Sequence, residues 1–333
     1  MTAPAEHTTI TKAKDLKPDK NISSGKDKAG QLIGPHFKIA LAGYTATEEV
    51  SDDNAGSFGL DAPMAAPDGS EFFMAVMDDS SEARASSKVK AQLLVDDKKR
   101  DLDRLPGRSE AISAVVPSGS KVSLSVTDEK RTQVMNLRDG KRSEEEAGYY
   151  NAELKSSDLK DYEGKGKVTA DAGSSYEKEK RTLHLNMEFG AAARMPWIAD
   201  KGWADDGKVW VTIPVSNMTT DSVWGFKEGS HQPGVDWTLK EKDLFSLNPD
   251  PGKATDSKGK TSFKADQDSQ TTDGKNSQFS PAEATLMFQI DEEASTAKLK
   301  VSPGGKLKAK WSNVSGKCTW NDKPSKKKID VKF

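Results

Sequence analysis

Arg181-Thr182-Leu183-His184-Leu185-Asn186-Met187-Glu188-Phe189 alternates apolar and polar residues without a break. A period of two puts Leu183, Leu185, Met187 and Phe189 on one face of a strand and the polar residues on the other. The same alternation recurs outward in both directions. Phe37, Ile39 and Leu41 carry it near the start, then Val122, Leu124 and Val126. Val209, Val211, Ile213 and Val215 repeat it, followed by Leu286, Phe288 and Ile290. Between these runs lie turn signals such as Asp68-Gly69, Asp96-Asp97-Lys98-Lys99, Pro117-Ser118-Gly119 and Asp206-Gly207. Glu71 to Met77 is nearly continuous in apolar residues, as a strand in a sandwich core would be. Short strands with frequent turns predict an all-β chain of β-sandwiches.

Working outward from the strands divides the 333 residues. Residues 1–35 are polar, without apolar periodicity, and read as a disordered N-terminal tail. Residues 36–138 form a first sandwich and 139–180 a polar linker or extension. Residues 181–333 form a second sandwich, interrupted by a long polar insertion at 248–280. Both β-regions follow the same order, an alternating strand and then a strand introduced by Asp-Gly. This predicts two tandem copies of one domain.

Composition narrows the function classes. The 50 Lys+Arg and 52 Asp+Glu nearly cancel, giving a net charge of -2, which argues against a broad nucleic-acid footprint. No apolar run reaches the length of a membrane span. The single cysteine, Cys318, allows no internal disulfide, redox pair or cysteine zinc site, and reads as a half-buried strand residue. His7, His36, His184 and His231 show no paired ligand spacing, so no metal is expected. Phosphate-loop, dinucleotide and nucleophile-elbow motifs are absent, and no catalytic residue or cofactor is assigned. The acidic stretches Ser51-Asp52-Asp53-Asn54 and Asp266-Gln267-Asp268-Ser269 lack the spacing of a calcium loop. The basic run Lys326-Lys327-Lys328 reads as a solvated end.

All seven tryptophans lie between Trp197 and Trp320. Trp197, Trp203 and Trp224 stand in polar loop stretches rich in Gly and Asp. These three are the candidate ligand-binding residues, because exposed aromatics stack on sugars or anchor protein partners.

The stretch Asp206 to Thr219 ends in Val215-Ser216-Asn217-Met218-Thr219. It resembles the immunoglobulin-like, telokin-like domains of Gram-positive bacterial surface lipoproteins. Glu71 to Asp79 is similar but has Asp78-Asp79-Ser80 where the Asn would fall. The resemblance covers 36–138 and 181–333 and implies two tandem immunoglobulin-like sandwiches, export, and a scaffolding role rather than a reaction. The start, Met1-Thr2-Ala3-Pro4-Ala5, has no secretion signal. A cell-surface location therefore rests on a leader removed upstream, with a possible lipid anchor there. The expected function is non-catalytic binding of a protein partner or cell-wall glycan. The alternatives are a carboxylate-dependent carbohydrate-active enzyme, which needs only two suitably spaced carboxyls, or a component of a phage or secreted toxin assembly.

Overall fold

The alternating stretches form antiparallel strands, and among the described residues helix is confined to short turns such as Asp52–Ala55 and Glu241–Leu244. The computed structural model describes residues 1–13, 17–22, 29–83, 88–96, 98–150, 159–171, 173, 178–220, 234–250, 252, 262–265, 277–280, 284–311 and 314–333. No helix among them is long and apolar enough to cross a membrane. The chain divides into two units, Met1–Asn151 and Ala152–Phe333.

The first unit is sandwich-like. One sheet runs in the order Thr8–Lys12, Glu110–Pro117, Ser70–Met77, Phe37–Thr47, Lys20–Asn21, with Gln31–Gly34 and Glu82–Ala83 also paired to Phe37–Thr47. The other runs Lys98–Leu102, Lys90–Val95, Val122–Asp128, Arg131–Asn136, Arg142–Glu144. Phe37, Ile39, Leu41, Phe73 and Ile112 of the first sheet share a core with Leu93, Val95, Leu124, Val126 and Met135 of the second. The apolar run at 71–77 has a direct explanation. Phe73, Ala75 and Met77 face that core, while Phe72, Met74 and Val76 face a second cluster with Val50, Ala55, Phe58 and Leu60. A strand covered on both faces has no polar side to alternate with. Phe58 meets Phe72 edge-on at 5.9 Å, and burying each ring contributes roughly 1.5–3 kcal/mol.

The polar start corrects the reading of 1–35 as a disordered tail. Thr8–Lys12 pairs with Glu110–Ala114 as the edge strand, Ala3 and Ala13 are buried, and Gln31–Gly34 forms a hairpin with Phe37–Ala40. An edge strand needs only one half-buried apolar residue, here Ile10, and its threonines suit a pleated surface.

In the second unit the hydrogen-bonded neighbours run Glu179–Phe189, Tyr162–Asp171, Val314–Asp322, Lys306–Trp311, Gly234–Lys240, Ser262–Ala265, Ser277–Ser280, Lys208–Thr220. Lys208–Thr220 then pairs back onto Glu179–Phe189, with Met218 opposite Met187, so the circuit closes. Ala284–Asp291 and Ala193–Met195 flank the start of Lys208–Thr220. A separate sheet of Phe245–Asp250, Thr296–Val301 and Lys327–Lys332 contributes Leu247, Leu299 and Val331 to the same core. Closure removes sheet edges that would otherwise pair with another chain. The two units do not share a sheet order, which departs from the expected repetition of one domain.

Two further boundaries move. The linker at 139–180 contains the strand Tyr162–Asp171, whose inward positions are Tyr162, Gly164, Gly166, Val168 and Ala170. Glycine hides this alternation from a hydropathy reading, yet the packing requires it. A Cβ on Gly166 would lie 2.5 Å from the Trp320 ring. The insertion at 248–280 begins inside a strand, because Asn248 and Asp250 are the outward positions of Phe245–Asp250 while Leu247 and Pro249 point inward. Ser262–Ala265 and Ser277–Ser280 are strands of the circuit; the remainder, with Asp266 to Ser269, lies outside the described residues.

Candidate functional site

Trp197–Ile198 and Gly202–Trp203 form a two-stranded ladder in which Trp197 stands directly opposite Trp203 and Ile198 opposite Gly202. Directly opposed residues of an antiparallel pair project to the same face. The loop between them has three residues, closed by a hydrogen bond from the Lys201 N–H to the Ile198 carbonyl at 3.0 Å. Gly202 follows at φ +79°, the left-handed residue that a three-residue hairpin loop calls for. Two bonds hold the hairpin in place. The Ala204 N–H donates to the Pro196 carbonyl at 2.8 Å, and the Trp210 indole N–H donates to the Gly202 carbonyl at 3.1 Å. Trp197 and Trp203 are both half-buried.

The structure therefore brings together two of the three tryptophans chosen from sequence and adds Trp210 as the side chain that pins their hairpin. The third, Trp224, lies outside the described residues. Trp237 is wholly buried, donates to the Gly304 carbonyl at 2.7 Å and meets Trp320 edge-on at 5.2 Å. That pair is core. Cys318 is half-buried, and burial pushes its thiol up to about 11. It is protonated at neutral pH and unsuited to nucleophilic attack.

Elsewhere in the second unit a groove of about 630 Å³ is lined by Glu163, Lys165, His184, Asn186, Asp322 and Lys323, among others. Lys165 stands opposite His184 and Glu163 opposite Asn186 across the Tyr162–Asp171 and Glu179–Phe189 strands. The walls are polar and contain no tryptophan.

A second cluster, in the first unit, was not read from sequence. His36 occupies the hairpin tip between Gln31–Gly34 and Phe37–Thr47, and Asp128 ends the strand Val122–Asp128. Both oxygens of the Asp128 carboxylate are engaged by His36. One accepts its backbone N–H at 2.9 Å and the other lies 2.9 Å from its ring Nδ1. Asp128 is 2% exposed. Next to it, Glu129 pairs with Lys88 at 2.6 Å. Nearby, Tyr149 is buried, and both its burial and the charge of Asp128 raise the phenol well above its ordinary value. His36 and the Asp128–Glu129 pair come from the tips of hairpins in the two facing sheets. No spacing rule connects positions 36 and 128, and the only sequence signal is the presence of the side chains themselves.

Comparison with family models, with curated proteins and with solved structures finds no match for the chain, so the functional reading rests on this geometry.

Proposed function

We propose that the chain is a non-catalytic binding protein acting outside the cell or at its surface, recognising a cell-wall glycan or a protein partner through the aromatic hairpin of its second unit. The observation that carries this is the Trp197–Trp203 cross-strand pair, which sets two indoles on one face of a pinned hairpin. Rigid aromatic pairs supply contact area at low entropic cost and are the residues on which binding energy concentrates. The immunoglobulin-like affinity suggested by the Val-x-Asn-x-Thr strand end belongs to the same proposal. The two facing antiparallel sheets of the first unit support it, whereas the closed circuit of the second does not.

Binding of the full chain to insoluble cell-wall polysaccharide and to candidate surface proteins tests the reading. Trp197→Ala and Trp203→Ala should each weaken capture about tenfold, a loss of about 1.4 kcal/mol, with the thermal midpoint unchanged. Unchanged capture in both variants removes the hairpin as the site.

The carboxylate-dependent enzyme remains the second reading, because Glu163 and Asp322 line one groove. It requires glycoside turnover that Glu163→Gln abolishes. The absence of tryptophan from that groove's walls supports the non-catalytic reading.

A further inference from the structure

We propose that His36, Asp128 and Glu129 form a binding site for a first-row divalent cation of the zinc type. One ring nitrogen of His36 and one carboxylate oxygen each from Asp128 and Glu129 all lie within 4.8 Å of one another. Tetrahedral metal–ligand bonds of about 2.0–2.2 Å place neighbouring donor atoms about 3.3–3.6 Å apart. The 2.9 Å between His36 Nδ1 and Asp128 Oδ1 is a hydrogen-bond distance, so these two donors part by about half an ångström to admit a cation. One imidazole and two carboxylates form a borderline-to-hard donor set, which suits zinc, cobalt or manganese better than a soft-metal site.

The setting favours a cation in two ways. Asp128 is buried, and its carboxylate is held by the His36 backbone N–H, so one ligand is oriented before any metal arrives. Glu129 and Lys130 form the two-residue hairpin tip between Val122–Asp128 and Arg131–Asn136, at φ 47° and 70°. Neither is the Asn or Gly that such a turn prefers, and the tight turn sets Glu129 directly after Asp128 at the end of the strand. His36 and Glu129 keep 25% and 18% side-chain exposure, which leaves a solvent route for entry and for water as the remaining ligands.

Without metal, a hydrogen bond joins Nδ1 to Asp128, and the Lys88 ammonium answers the charge of Glu129. On binding, the cation replaces the proton shared between Nδ1 and Oδ1. A neutral His36 moves its ring proton to Nε2, and Lys88 withdraws from Glu129. Lys88 is therefore a competitor for the site.

Calorimetric titration of the full chain with zinc chloride provides the test. A single saturable site is expected, weakened at least tenfold by Glu129→Gln and tightened severalfold by Lys88→Met. Both positions lie outside the His36–Asp128 bond, so both variants should keep the wild-type thermal midpoint. His36→Ala, which removes the imidazole ligand, should abolish binding as well. No saturable binding, or an affinity unchanged in Glu129→Gln or in Lys88→Met, overturns the proposal.

Discussion

A single residue, Gly166, decides the packing of the second unit at one point. Gly166 lies beneath Trp320 and Pro324, with 2.5 Å and 2.7 Å to where a Cβ would stand. Both obstacles are stiff, since a ring and a pyrrolidine cannot swing aside as a lysine tip would. Gly166→Ala should therefore destabilise the unit by about 1–3 kcal/mol, the usual range for overpacking a filled core, read as a lower thermal midpoint. Trp320 also packs edge-on against the buried Trp237, so the fluorescence of Trp237 should shift to the red in the same variant. Hydropathy could not have located this strand, because its inward glycines carry no apolar signal.

The hairpin tips are where element-level chemistry is most exposed. Glycine stands at positive φ in the turns at Gly69 and Gly207, as the Asp-Gly pairs predict. The tip at Glu129-Lys130 is different, since both of its residues adopt positive φ with a side chain attached. Lys130→Gly should stabilise the first unit by about 1 kcal/mol, because a left-handed conformation costs a non-glycine residue about that much. Chemical denaturation measures this directly, and it leaves the Glu129 side chain in place. The edge strand Thr8–Lys12 is a second such element. Its ladder covers the outer edge of Glu110–Pro117, where the Val115 N–H donates to the His7 carbonyl, so deleting residues 1–13 should accelerate amide exchange at Ser113 and Val115 while the central Ser70–Met77 strand stays protected. Equal protection at the edge after truncation would show that the strand contributes nothing.

At the scale of the whole molecule, each unit holds its own core. The Leu93 and Phe73 cluster belongs to residues 1–151, and the Trp237 and Leu185 cluster to 152–333. Calorimetry should then show two unfolding transitions, with a core change such as Phe73→Ala lowering only one of them. The cost of that change is about 3–5 kcal/mol. A single transition that moves as a whole would show the two cores to be coupled.

Alternation by twos is a property of consecutive residues, so the sequence alone determined that this chain is all-β and where strands such as 37–41, 122–126, 183–189 and 209–215 lie. It also located turns such as Asp68-Gly69 and Asp206-Gly207, and it singled out Trp197 and Trp203, as loop residues rather than as the paired strand positions of the structure. Which strands pair was decided only in three dimensions. That choice depends on which edges meet across long separations, and so the closed circuit, the edge strand in the polar start and the glycine-lined strand were not legible locally. The His36–Asp128 contact joins residues 92 apart. Packing the two sheets face to face sets those hairpin tips side by side, and the buried Asp128 carboxylate is then satisfied by the His36 N–H and ring.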